Sequence, residues 1–394
     1  MKISNKYLVE ALVFLSYVLF AMAWVGGAAS MDAIMQSMAV DSLASASFIS
    51  GAVTLAKIVG TFGAAWLALK FGIKIAFFIA SILIVIGLFT PFSPNYEILL
   101  LSRFLMGLGG AFMIVYFNPI VMHWFEPDER SVINGLNAVA FNVGTGVILW
   151  AMADINGLTG GWQMSLALFS IASLLLAFVW LLVRFEQDQE HAQKQDTSSN
   201  ETNEATKANK TLDSSYSYRQ GLTDKFNWVY ALTYSGLLAF YICLFTFYPK
   251  AGISQSKWVI GFGIVGTLAG IIYSKKVLQR LPIIRWSGLM MTISLFGLSF
   301  ATEPWLQTLS AVVLGFFIFL PVTSLVSIPH ELPKMTPQRV TVIFSLFYSI
   351  SYLVATIILW LFGRLVDLNQ GDYTPSLMLI SLLSLTFFIG SFWL

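Results

Sequence analysis

Residues 162–183, WQMSLALFSIASLLLAFVWLLV, run for twenty-two positions without an Asp, Glu, Lys, Arg or His. At about 1.5 Å per residue such a helix spans the roughly 30 Å hydrocarbon core of a bilayer. From Phe185 to Asp224 the chain then turns to Gln, Asp, Ser, Asn, Thr, Glu and Lys, with almost no large aliphatic residue. A segment of that composition has too little apolar surface to bury a core of its own.

Reading outward from this boundary, apolar runs between polar breaks recur on both sides. Backward they predict helices over 8–30, 44–68, 75–92, 98–124 and 131–153, which with 162–183 make six. Forward they predict 226–248, 257–274, 284–302, 305–328, 340–362 and 375–393, six more. The expected fold class is an all-α membrane protein of 12 transmembrane helices, with six-helix bundles over 1–184 and 225–394 joined by a disordered cytoplasmic linker over 185–224. Composition agrees: 57% of residues are hydrophobic and 11% charged, against roughly 25% charged in a soluble protein. The small ending Gly26-Gly-Ala-Ala-Ser30 imitates a signal-peptide cleavage site. The run before it is too long for a signal core and fills the first place in the even helix count, so it is read as a retained helix.

Lys and Arg are retained on the cytoplasmic side of a membrane. With both termini inside, seventeen of the basic residues fall in cytoplasmic loops, while Lys250, Lys257 and Arg364 fall outside and Lys57 and Arg103 stay within helices. A bacterial inner membrane is the expected location. The two halves also echo each other: Ser102 and Gly107 match Ser310 and Gly315 at a constant offset, and Pro127-Asp-Glu-Arg130 answers Pro337-Gln-Arg339. Repeated bundles of this kind are a common way to build a transporter.

Several function classes are disfavoured. A net charge of +2 with scattered basic residues suggests no nucleic-acid partner. Cys243 is the single cysteine, so no disulfide or cysteine-based metal site forms within one chain. His123 has no ligand partner at a metal-binding spacing and reads as structural. No Gly-x-x-x-x-Gly-Lys-Ser/Thr loop supports ATP-driven work, and no nucleophile with a positioned base supports an enzyme. No cofactor is expected.

Four local features resemble the major facilitator superfamily. Ala65-Trp-Leu-Ala-Leu-Lys70-Phe-Gly72-Ile-Lys74 is similar to the family's Gly-x-x-x-Asp-Arg-x-Gly-Arg-Lys loop, with Ala65 and Leu69 replacing its first glycine and its aspartate. Arg103-x-x-x-Gly107-x-Gly109 resembles its helix 4 motif, whose arginine is associated with proton coupling. Trp124-Phe-Glu-Pro127-Asp-Glu-Arg130 and Gly161-Trp162 are also typical. Helix 5, from Asn137 to Gly146, lacks the Gly-Pro pair of many drug antiporters, and Phe117-Asn118-Pro119 through Asn142 looks more like the cyanate-permease and nitrate-porter side. The resemblance implies a secondary transporter working by alternating access.

Within that frame the ionisable residues inside helices become candidate sites, because a charge at the bilayer centre costs about 2.5–3.5 kcal/mol on insertion scales. Lys57, thirteen residues into helix 2, is expected to hold an anionic substrate group, the alternative being an internal salt bridge. Asp32 and Arg103 are expected at similar depth, as a coupling pair on helices 1 and 4; alternatively Asp32 lies in outer water and Arg103 bonds carbonyls. Tyr17, Trp24, Asn118, Asn142 and Tyr234 are expected to supply the polar groups of an aromatic substrate pocket. Lys70, Gly72, Lys74, Glu126, Asp128, Arg130 and Arg339 are placed at the cytoplasmic gate. Pro119, Pro321 and Pro329 are expected to bend helices 4 and 10. The expected partners are a small organic, perhaps anionic, metabolite, a proton or sodium as coupling ion, and the lipid bilayer, for a monomer. Multidrug or metabolite efflux by proton antiport, or a non-transporting receptor with this fold, are the alternatives.

Overall fold

The computed structural model describes residues 3–185, 216–333, 335 and 337–394. The regular elements among the described residues are all helices, apart from one isolated bridge between Ile3 and Val183. The first half runs α1 (Lys6–Ala29), α2 (Met31–Ser37), α3 (Leu43–Ala46), α4 (Phe48–Val85), a 3₁₀ turn (Ile86–Phe92), α5 (Tyr96–Trp124), α6 (Pro127–Thr159) and α7 (Trp162–Leu181). The second runs α8 (Tyr218–Thr223), α9 (Lys225–Phe247), α10 (Ser256–Lys276), α11 (Leu281–Phe300), α12 (Pro304–Phe319), α13 (Val322–Glu331), α14 (Pro337–Leu368), α15 (Thr374–Leu383) and α16 (Leu385–Gly390). Ten stretches among the described residues are long and apolar enough to cross a membrane; one of them spans 45 residues, Phe48–Phe92, and Thr374–Gly390 is a shorter apolar helix.

Local sequence explains where the helices start and stop. Asn5 caps α1 by accepting from the backbone N–H of Tyr7 and Leu8, and Asn95 caps α5 by accepting from Ile98. Glu126 and Glu129 form a capping box at the head of α6, which ends at Gly160 in the left-handed conformation, φ 86°. The continuous α4 is interrupted at Gly72, with φ 74° and ψ 159°, a backbone conformation that only glycine adopts without strain. Pro119 lies inside α5 without ending it. Pro321 separates α12 from α13, because its ring removes a donor and clashes with the preceding turn.

The internal repeat is visible in the packing. Gly107 on α5 lies against the Val53 backbone of α4, and Gly315 on α12 lies against the Val259 backbone of α10. A Cβ at either glycine would come within 3 Å of that backbone. Ser102 bonds Thr90 at 2.7 Å, while the matching Ser310 fills the space left by Gly297. Small residues thus allow the same close helix approach in both halves.

Much of the expected linker over 185–224 lies outside the described residues. Its last stretch departs from the expectation of disorder. Ser217 and Gln220 form a reciprocal capping box that starts α8, and Gly221 packs on Val342 and Leu346 of α14. The polar composition conceals this because the contact is made by a glycine backbone and by Tyr218, whose ring meets Phe62, with no aliphatic run to mark it.

Candidate functional site

The two halves meet along α4 with α14, α6 with α10, α3 with α14, and α1 with α9. Between them lies a cavity of about 740 Å³. It extends from Tyr17, Trp24 and Lys57 to Asn134, Ser274, Lys275 and His330, near the beginning of α6 and the ends of α10 and α13. All six residues expected to form a pocket, Tyr17, Trp24, Lys57, Asn118, Asn142 and Tyr234, line this one space. No Asp or Glu is among its lining residues, whereas Lys57, Lys275 and His330 are.

On the opposite side of Lys57 the halves are joined. Ser50 and Thr246 are 3.1 Å apart and Thr54 and Thr356 2.6 Å, while level with Lys57 the Ser349 hydroxyl donates to the Ile58 carbonyl at 3.2 Å. Farther out, the Asp367 carboxylate accepts from Ser42 Oγ and from the backbone N–H groups of Leu43 and Ala44 at 2.8–2.9 Å. Gly363 lets α14 approach the Leu43 backbone there. Asp32 pairs with Lys250.

Lys57 is 3% exposed. Its ammonium lies 3.3 Å from the Tyr17 hydroxyl and 5.1–5.9 Å from the ring centres of Trp24, Phe20, Tyr352, Tyr17 and Phe141. Among the described residues it forms no ion pair with a carboxylate. Removing an ammonium from water costs several kcal/mol, while a desolvated cation–π contact returns about 2 kcal/mol and such contacts do not add fully. Three N–H donors also face one acceptor. The rings make the charge tolerable and leave its hydrogen bonding unfinished.

Further polar atoms are in the same condition, those of the Asn137 amide among them. Trp24 Nε1 and Asn142 Nδ2 are buried with no acceptor among the described residues. The Asn142 amide is fixed because its Oδ1 accepts from the Tyr241 hydroxyl at 2.6 Å. Asn134 donates to Asn118 at 3.2 Å, and Tyr234 stacks on Phe347 at 4.8 Å. The cavity therefore presents donors and rings, a lining suited to an anionic group on an apolar or aromatic body.

The expected Asp32–Arg103 pair is not formed. The chain turns at Ser30 and begins α2, which carries Asp32 outside α1, where its side chain is 77% exposed. Arg103, 1% exposed, donates to the carbonyls of Ile49, Ala23 and Trp24 at 2.7–2.9 Å. Gly27 makes the approach possible, since a Cβ there would lie 2.4 Å from Nη1.

The residues assigned to a gate have local roles in this state. Lys70 lies over the rings of Trp66 and Phe71, Gly72 supplies the turn, and the Lys74 carbonyl accepts from Trp180. Glu126 caps α6, Asp128 is exposed, and Arg130 donates to the carbonyls of Phe125 and Met122. Arg339 pairs with Asp224 at 3.5 Å and covers the Tyr216 ring, tying α14 to the segment before α9. Among the described residues, no bond of Lys70, Lys74, Glu126, Asp128 or Arg130 reaches the second half.

Sequence reasoning passed over Phe20 and Phe141 in the Lys57 cage, Lys275 and His330 in the cavity, and Glu10. The last is a buried acid five residues after the Asn5 cap. Its signal was present, because an acid on the second turn of an apolar helix has to face either solvent or protein.

A family profile for the Major Facilitator Superfamily matches residues 13–357. The chain is similar to the uncharacterized protein Cj0987c of Campylobacter jejuni, 27% identical over 324 residues, 78% of this chain and 95% of that one. It is also similar to the hexuronate transporter of Bacillus subtilis, 25% identical over 224 residues, 54% of this chain and 51% of that one. The fold matches the crystal structure of a D-xylose-proton symporter with a TM-score of 0.76 at 13% identity, covering 99% of this chain and 97% of that one. The relatives of assigned activity are transporters and not enzymes. A profile match across most of the length, over a fold of two helical halves around one cavity, establishes that this chain belongs to the Major Facilitator Superfamily.

Proposed function

We propose that this multi-pass transport protein moves a small organic anion across a bacterial inner membrane by alternating access, coupled to a proton. The observation that carries this reading is Lys57 with no counter-ion among the described residues, in a cavity whose described lining includes no carboxylate. An anionic substrate completes the ammonium's hydrogen bonding and also gives acceptors to Trp24 Nε1 and Asn142 Nδ2. The name of the Bacillus subtilis relative, a hexuronate transporter, is consistent with a carboxylate cargo.

The same reading takes the chain as twelve crossings in two bundles of six, working as a monomer. Phe48–Phe92 has a helical length of about 68 Å at 1.5 Å per residue, twice a hydrocarbon core, and its break at Gly72 divides it into two arms. Thr374–Gly390 serves as the last crossing. The end of the first half where Ile3 meets Val183, Lys6 meets Glu129 and Trp180 meets Lys74 is taken as cytoplasmic by the distribution of basic residues. The cavity then opens inward, with Asp32–Lys250 and Asp367 closing the outside.

Thermal stabilisation of the purified protein by a panel of anionic, cationic and neutral metabolites tests the reading. A ligand at a hundred times its Kd stabilises by about 2.7 kcal/mol. Stabilisation by a carboxylate that Lys57→Ala abolishes is expected. Hits confined to neutral or cationic compounds, unchanged in Lys57→Ala, would overturn the anionic assignment.

A further inference from the structure

Three side chains that ordinarily carry charge are buried among the described residues: Glu10, Lys57 and Arg103. Arg103 is satisfied by three carbonyls, while Lys57 has one hydroxyl and five rings around it and hydrogen bonding left to complete. Glu10 on α1, 4% exposed, has neither carboxyl oxygen in a hydrogen bond of ordinary geometry among the described residues. Its polar neighbour is the amide of Asn137 on α6, 3% exposed, which makes only a loose hydrogen bond to the carboxyl and has neither its oxygen nor its nitrogen in a bond of ordinary geometry. Asn137 in turn lines the central cavity.

The ionisable groups on the helices packed against α1 are engaged or distant. On α1 itself, Lys6 pairs with Glu129 of α6 at 2.7 Å. Also on α6, Arg130 is held by two carbonyls, and Asp128 and Asp154 are exposed. On α4, Lys57 sits in its ring cage and Lys70 lies over two exposed rings; the Lys74 carbonyl is bonded by Trp180. On α5, Arg103 is bonded as described, Glu97 is exposed in the first turn, and His123 stacks on Phe185 in the last. Lys225 of α9 lies over Trp393, and α7 carries no ionisable side chain.

We propose that Glu10 is a proton-binding site that exchanges with the transport cavity through Asn137, and that it supplies the coupling proton; the coupling clause rests on the transport reading above. A buried carboxylate with no cation beside it is costly. The neutral acid avoids that cost and adds an O–H donor, which the Asn137 amide accepts once it turns from presenting its NH₂ to presenting Oδ1. Because Asn137 forms part of the cavity wall, the proton exchanges with whichever side the cavity faces. One carboxyl thus takes a proton from one side and releases it to the other without moving relative to its own half.

Charge balance then enforces coupling. With an anion on Lys57 and a proton on Glu10, the three buried groups and the cargo sum to one positive charge, on Arg103. The empty carrier with Glu10 ionised and Lys57 protonated sums to the same value. Anion alone gives zero and proton alone gives two positive charges. Only the fully loaded and fully empty forms carry equal charge through the transition, so the cargo anion and the proton travel together with no net charge moved.

The test uses the full-length purified protein and the proton itself as ligand, read by infrared difference spectroscopy across the neutral pH range. A neutral carboxylic acid band that titrates is expected in the wild type. Glu10→Gln should remove that one band, Glu10→Asp should restore a band, and Asn137→Leu should shift its frequency while leaving it present. A wild type without such a band, or a band unmoved by both Glu10→Gln and Asn137→Leu, would overturn the proposal. Should Glu10→Gln fail to fold, the frequency shift in Asn137→Leu decides alone. No substrate enters this measurement, so its failure is distinct from the loss of ligand stabilisation that would refute the anion site at Lys57.

Discussion

Asp367→Asn should open the sealed side of the protein. The Asp367 carboxylate holds three donors of the other half at 2.8–2.9 Å: Ser42 Oγ, Leu43 N and Ala44 N. A hydrogen bond to a charged group contributes about 1.5–3 kcal/mol, and the lower figure suits this half-buried site. An amide offers one oxygen, so at best it keeps the two bonds made by Oδ2, and its NH₂ is then set against the Leu43 N–H. One bond of about 1.5 kcal/mol is lost, and the other two fall to about half when the charge goes. The sum, about 3 kcal/mol, is a factor of about 150 in the equilibrium between sealed and open forms. A protein sealed roughly 99 times in 100 would be open more than half the time. Spin labels at Asp41→Cys and Leu368→Cys report the separation by pulsed electron resonance; Cys243 is buried and stays unlabelled. A distance distribution unchanged by Asp367→Asn would refute the reasoning. Ser42→Ala, which removes one bond, should move the distribution by a smaller amount in the same direction.

Gly27→Ala would place a methyl group 2.4 Å from the Arg103 guanidinium, so it should lower the thermal midpoint by an amount typical of core overpacking, about 1–3 kcal/mol; an unchanged melt would mean that the arginine relocates freely. Tyr241→Phe should cost about 1–3 kcal/mol by leaving Asn142 Oδ1 buried without its 2.6 Å donor, and calorimetry of that variant beside Asn142→Ala and the double mutant would measure the coupling directly. Lys57→Met should keep the fold, since its methyl thioether fits among the five rings, while anion-dependent stabilisation in the thermal assay disappears.

What could be read from the chain was set by distance along it. Lys57 announces itself because it lies thirteen residues into the helix expected from residue 44, so its charge has to face protein. Tyr17, Trp24 and Asn142 could be assigned to one pocket because polar or amphipathic groups inside apolar runs turn away from lipid. For Asp32 the chain left two readings open, a pair with Arg103 or a place in outer water, and the exposed side chain agrees with the second. Its partner Lys250 lies in the other half, and the break at Ser30 that moves it off α1 has no proline to mark it. Arg103 looked like half of an ion pair, but helix carbonyls brought close by Gly27 serve it as acceptors. Glu10 was overlooked because acids near a helix start are usually solvated and favoured by the helix dipole. The Ser217–Gln220 capping box was legible as a motif, yet the polar residues around it suggested disorder.

Arg103 also bears on how the molecule can deform. Its guanidinium rivets α1, α4 and α5 together through carbonyls in the last third of α1 and at the start of α4. Sliding any one of these past the others would strip a buried cation of its acceptors. The first half is therefore a stiff lever at that level, whereas the second has joints at Pro321 and Ser384 and no comparable rivet among its described residues. A swing between the two faces then bends one half against an unyielding other, so labels within α1, α4 and α5 should keep their mutual distances while those flanking Pro321 do not.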